Sequence, residues 1–102
     1  MIKGELLQKS NADFELIGVI NHNTVPIIWN QRQLLNIKEE KLNIDLSKIS
    51  HSDSSGVALL ACLQKETLDR QQILQFTNIP QQLQQIIQLS HLEDILNTQQ
   101  AL

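Results

Sequence analysis

Cysteine is nearly missing from this chain. Cys62 is the only one in 102 residues, so no internal disulfide can form, which fits a reducing compartment. Glycine occurs only three times. Neither G-x-x-x-x-G-K-[ST] nor G-x-S-x-G is present, which excludes a P-loop nucleotidase and a hydrolase nucleophile elbow. Long apolar runs are also absent. The longest is Val57 to Leu63, far short of the roughly 20 residues that span a bilayer. The opening M-I-K-G-E-L-L-Q-K has no such run, so neither a signal peptide nor direct membrane insertion is expected. Positive charge is scarce, at eight Lys and Arg against eleven Asp and Glu. A net charge of -3 argues against a nucleic-acid footprint or a polybasic anchor. His22, His51 and His91 with Cys62 show no metal-ligand spacing, so no metal site is expected.

What is present describes one compact domain, residues 1–102. Hydrophobic residues make up 41% and charged residues 19%, the balance of a chain that folds. No composition shift or internal repeat divides it. Glutamine is dense after Gln71, notably in P-Q-Q-L-Q-Q-I-I-Q. Leu83, Ile86 and Ile87 at helical spacing make that tract an amphipathic helix with a neutral polar face.

Strand and helix patterns alternate. Gly4 to Gln8 and Phe14 to Ile20 read as strands, with Asn11 and Asp13 in the turn between them. In N-H-N-T-V-P-I-I-W-N-Q-R-Q-L-L, Thr24 is an N-cap candidate and Pro26 falls in the first turn, where its missing N–H is not needed. Val25, Ile28, Trp29 and Leu35 line one side of that helix. Leu42, Ile44 and Leu46 alternate as a third strand. Ser54 to about Gln71 is a central helix, and Ile73 to Thr77 a fourth strand. Pro80 opens a further helix to about Ser90, and Leu92 to Leu96 reads as a last helical turn or two. The expectation is an α/β domain: a small mixed sheet of about four strands with helices mainly on one face.

The central helix is apolar from Val57 through Leu63 with no polar break. Two readings stand side by side. Small Ala58 and Ala61 are tolerated at a surface, or the outer side is buried against another chain.

Between the third strand and this helix lies the turn Ser52, Asp53, Ser54, Ser55, Gly56, followed by Val57. A nucleophile role for Ser54 or Ser55 lacks a partner base, and His51, though near in sequence, reads as a solvated loop residue. Asp45 reads as a surface or locally bonded acid, and Asp53 as a turn-organising cap. No catalytic residue and no cofactor is expected. A helix N-terminus presents free N–H groups and a partial positive charge. A phosphate on Ser54 or Ser55 would add roughly -1.5 to -2 charge there. The alternative is that both serines only cap the helix.

The segment I-D-L-S-K-I-S-H-S-D-S-S-G-V-A-L-L closely resembles the signature of STAS domains, the family of sulfate transporters and anti-sigma-factor antagonists. The segment L-Q-F-T-N-I-P-Q-Q-L-Q-Q-I-I-Q-L-S-H-L-E-D-I-L resembles that family's last strand, following helix and closing segment. In the anti-sigma antagonist branch D-S-S-G carries a phosphorylated serine, which by position is Ser55, with ATP supplied by a partner anti-sigma kinase. The segment G-V-I-N-H-N-T-V-P-I-I-W is similar instead to G-x-L-x-x-x-T-V-P-x-L-W of the MlaB-like branch. Gly18, Thr24, Val25, Pro26 and Trp29 carry that match. This second resemblance implies a non-catalytic cytoplasmic subunit, held at the inner membrane through its partner. That partner is an MlaF-like ATPase working with a membrane permease in a phospholipid-transporting ABC complex. The implied contact is Ser52, Asp53, Ser54, Ser55, Gly56 and Val57, with Ser54 at the position of the threonine used there against the ATPase.

Overall fold

The computed structural model describes residues 3–90, which form one five-stranded sheet and three α-helices. Strand β1 (Gly4–Gln8) and β2 (Asp13–Ile20) make an antiparallel hairpin with Leu6 opposite Leu16. Asp13 closes its turn: its carbonyl accepts from Lys9 N–H at 2.8 Å and its carboxylate from the Ser10 hydroxyl at 2.9 Å. The other edge of β2 is shared. Asp13–Glu15 pairs in parallel with β3 (Lys41–Asp45), and Gly18–Ile20 with β4 (Ile49–Ser52). Strand β5 (Ile73–Thr77) runs parallel to β3 on its far side.

Alternation along the strands puts Phe14, Leu16, Ile20, Leu42, Ile44, Leu74 and Phe76 on one face, none more than 1% exposed. The helices cover that face. Helix α1 (Val25–Asn30) contributes Ile28, α2 (Ser54–Asp69) contributes Val57, Leu60 and Leu63, and α3 (Gln81–Leu89) contributes Leu83 and Ile87. The sheet is mixed and the layers are those expected.

Three expectations change in detail. The sheet has a fifth strand, β4, which Ile49-Ser50-His51-Ser52 does not announce. It has a single large apolar residue, and it pairs because β2 shifts register between Gly18 and Val19. Gly18 adopts φ +91°, and a Cβ there would lie 2.0 Å from the Lys3 carbonyl oxygen, so this step needs glycine.

The helix expected from Thr24 to Leu35 is broken at Gln31. Its second part is a 3-10 turn, Arg32–Leu35, whose tighter winding brings Leu35 into the core beside Ile28. Thr24 is not a side-chain cap. Its buried hydroxyl donates to the Val19 carbonyl at 2.7 Å and accepts from Asn21 N–H at 2.9 Å, tying the end of β2 to the start of α1. Asn21 takes over the capping, with Oδ1 accepting from Asn23 and Thr24 N–H at 2.9 and 3.2 Å. The closing turns read at Leu92 to Leu96, and His91, lie outside the described residues.

Candidate functional site

β4 delivers the chain to the D-S-S-G turn, and its own position is fixed from β2. Lys48, just before it, accepts from Gly18 N–H through its carbonyl at 3.1 Å and ion-pairs with Glu15 through Nζ at 3.3 Å. At the other end Asp53 N–H donates to the Ile20 carbonyl at 3.2 Å. The turn is therefore anchored to the sheet on both sides before the helix begins.

Asp53 is the N-cap of α2. Its backbone is extended, and its Oδ1 accepts from Ser55 N–H at 2.9 Å and from the Ser55 hydroxyl. Its carbonyl accepts from Gly56 N–H at 3.0 Å, the first bond of the helix. The Ser55 hydroxyl does most to hold the Asp53 carboxyl below its ordinary pKa. Partial burial opposes this, while the Ser55 and Gly56 N–H groups and nearby His22 reinforce it. Asp53 thus stays ionised at the positive end of a 16-residue helix.

The six residues singled out in this turn come together in space but do not present themselves equally. Ser52 and Val57 are 2% exposed, and Gly56 is buried between them and the sheet. The Ser52 hydroxyl donates to the Asp53 carbonyl at 3.1 Å, and a Cβ on Gly56 would sit 2.1 Å from that hydroxyl oxygen. These three residues shape the turn from beneath. Asp53 and Ser55 are half-buried, and Ser54 is exposed. Among the described residues the Ser54 side chain makes no hydrogen bond, so its hydroxyl is available to another molecule.

The apolar run that follows divides by size. Val57, Leu59, Leu60 and Leu63 point into the core, Ala61 is half-buried against it, and Ala58 and Cys62 are exposed. Ser54, Ala58 and Cys62 lie at i, i+4, i+8, a line of small side chains along the outer face of α2. Periodicity alone did not resolve this line, because leucines and alanines count alike as apolar. Residue size would have found it.

The neighbourhood is polar, and among the described residues it has no reactive grouping. His51 is exposed, with Nδ1 3.4 Å from Gln82 Nε2 on α3. On the other flank a groove between α1 and α2 is lined by Trp29, Cys62, Lys65, Glu66 and Asp69. Arg32 closes that side. Its guanidinium lies 4.3 Å from the Trp29 ring centroid, and its Nε donates to both Glu66 oxygens at 3.1 and 2.9 Å. Trp29 and Thr24, prominent in the first-half motif, thus serve the joint between α1, α2 and β2. Asp45 is locally bonded as expected. Burial pushes its carboxyl up, but hydrogen bonds from Ser47 and Asn78 outweigh this and hold it below its ordinary value. No group of three or more His, Cys, Asp or Glu among the described residues is placed to hold a metal ion.

Comparison with known proteins adds family and fold. Residues 6–97 match the family described as Mlab, STAS domain. No curated protein matches the sequence. Among solved structures, the anti-sigma factor antagonist SpoIIAA in its unphosphorylated form is 17% identical with a TM-score of 0.72. That similarity covers 96% of this chain and 89% of SpoIIAA. An anti-sigma factor antagonist from Mycobacterium paratuberculosis is 19% identical with a TM-score of 0.78, covering 100% of this chain and 88% of that one. At these identities the two structures establish a shared fold.

Proposed function

This chain belongs to the STAS domain family, in the group described as Mlab, and on that premise we propose that it binds the ATPase of a phospholipid-transporting ABC complex. It is a non-catalytic cytoplasmic subunit that supports assembly or activity of that complex. The observation that carries this reading is the outer face of α2. Ser54, Ala58 and Cys62 form an exposed line of small, uncharged side chains that begins at a turn capped by Asp53. Small side chains let a partner's backbone approach closely, and a pre-ordered surface loses little entropy on docking. Among the described residues no helix is long and apolar enough to cross a membrane; in this reading membrane association runs through the partner.

A second reading rests on Ser55. Its hydroxyl is bonded to Asp53 within the turn, and two structural neighbours are anti-sigma factor antagonists, one named for its unphosphorylated form. A phosphate on Ser55 would set a second anion against the ionised Asp53. The cap would have to rearrange, and a partner seated on the turn would be released. In this reading the partner is an anti-sigma kinase.

One experiment separates the two readings. The purified domain is mixed with a phospholipid-transporter ATPase of the same organism, and separately with an anti-sigma kinase, and each mixture is run on gel filtration. Co-elution with the ATPase supports the first reading. Co-elution with the kinase alone replaces it with the second. Ser54→Arg then tests the surface. A disrupted interface centre loses about 2 kcal/mol or more, so affinity should fall at least about tenfold while the melt of the free domain is unchanged. Wild-type affinity in this variant would place the contact elsewhere.

A further inference from the structure

Strand β4 is the shortest of the sheet, four residues that pair only with β2. Ile49 is its one large apolar side chain, and Ser50 and His51 are exposed. The chain on either side is firmly placed. Leu46, before it, is buried and donates its N–H to the Thr77 carbonyl at 2.9 Å. Gly56 and Val57, after it, are buried in the first turn of α2. Two backbone bonds to β2 bracket the strand: Gly18 N–H to the Lys48 carbonyl at 3.1 Å, and Asp53 N–H to the Ile20 carbonyl at 3.2 Å. Segments with few apolar contacts open locally, below the free energy of global unfolding.

Among the described residues, one polar side-chain contact ties this segment to β2. Lys48 Nζ lies 3.3 Å from Glu15 Oε2. Glu15 is 8% exposed, and its Oε2 is buried with no hydrogen-bond donor among the described residues. Lys9, on the hairpin, is the next cation, at 3.9 Å. A buried carboxylate without donors is costly, and opposite charge close by is what offsets the cost. Both lysines are exposed, so the attraction is modest. Lifting Lys48 away admits water to Glu15. Attraction thus favours the closed strand, and hydration of the acid favours the open one.

We infer that residues 47–52 form a strap that opens as one unit between Leu46 and Asp53, with the Glu15–Lys48 pair as its latch. Opening breaks both bracketing bonds. The cap bonds of Asp53 with Ser55 and Gly56 are local, so α2 keeps its first turn while the D-S-S-G turn comes away from β2. Ser54, exposed on that turn, is then no longer held to the sheet. Under the reading proposed above, a partner seated on Ser54 binds the closed strap and shifts the population toward it.

Amide hydrogen exchange of the free domain, followed by NMR, tests the strap apart from the partner reading. Gly18 and Asp53 N–H report on its two ends. In the wild type they should share one protection factor, insensitive to low urea and smaller than those of Leu46 and Ile73, whose N–H groups bond to Thr77 and Glu40. Lys48→Met keeps the stem and removes the charge, leaving the acid buried beside Lys9 alone. Exchange at Gly18 should rise at least about tenfold, and exchange at Asp53, the end that Lys48 does not touch, should rise by the same factor. Adding Glu15→Met removes the buried charge and should return both amides to the wild-type rate or slower, because a neutral buried pair gains nothing from water. Wild-type protection at Gly18 and Asp53 equal to that of Leu46 and Ile73 would overturn the inference, and this comparison needs no variant. So would Lys48→Met speeding Gly18 without Asp53, or a double variant that stays as fast as Lys48→Met. If Lys48→Met fails to fold, the pair belongs to the global fold and is no latch.

Discussion

Replacing Gly56 with alanine tests whether the turn is built by packing from beneath. The added Cβ would lie 2.1 Å from Ser52 Oγ and 3.2 Å from Ile20 Cγ2, against a buried strand end rather than solvent. Alanine favours helix over glycine by up to about 1 kcal/mol, and less in a first turn. Forcing one carbon into a closed core typically costs about 1–3 kcal/mol, and here it displaces a buried hydroxyl from its hydrogen bond to the Asp53 carbonyl. The net expectation is a loss of about 1–2 kcal/mol, a fall in Tm of roughly 4–16 °C for a domain near this size. Ser52→Ala removes the colliding oxygen and leaves a Cβ contact at 3.4 Å, an ordinary distance. Gly56→Ala combined with Ser52→Ala should therefore recover most of the loss, with a coupling of about 1 kcal/mol or more between the sites. Urea titration followed by Trp29, the only tryptophan, reads this as a shift in midpoint at constant slope. Gly56→Ala at wild-type stability, or two substitutions that simply add, would refute the packing argument.

Two further predictions concern the same helix. Asp53 has a folded pKa below its ordinary value, so its contribution is present above the unfolded pKa of about 4 and is lost as pH falls through the lower folded value. Asp53→Ala should cost about 0.5–2 kcal/mol at neutral pH, and a pH series of urea midpoints should show the gap to wild type closing below about pH 4. A gap independent of pH would mean that the carboxylate charge is not what caps the helix. Gln71, just past α2, holds a left-handed backbone at φ 63°. Gln71→Gly should raise stability by up to about 1 kcal/mol, the relieved strain of roughly 1–2 kcal/mol being partly offset by a more flexible unfolded chain; a lower melting temperature would count against it.

Periodicity and turn chemistry carried much of this protein. The sequence pattern placed β1, β2, β3 and β5 within a residue of where they lie, by strict alternation in the case of β3, because each has one face on the core and a one-residue slip would expose it. The D-S-S-G turn was legible because its cap bonds run between neighbours, from Ser55 back to Asp53. Four decisions were made elsewhere in the chain. Strand β4 exists because β2 changes register at Gly18, α1 stops at Gln31, where the side chain bonds to Leu6, and the Thr24 hydroxyl is spent on the Val19 carbonyl. Which part of the apolar run Val57 to Leu63 faces out was settled by the sheet beneath α2, which takes the leucines and leaves Ala58 and Cys62 outside. A sequence states what each residue is able to bury or bond. Which of those options is realised depends on partners tens of residues away, and only the folded chain brings them within reach.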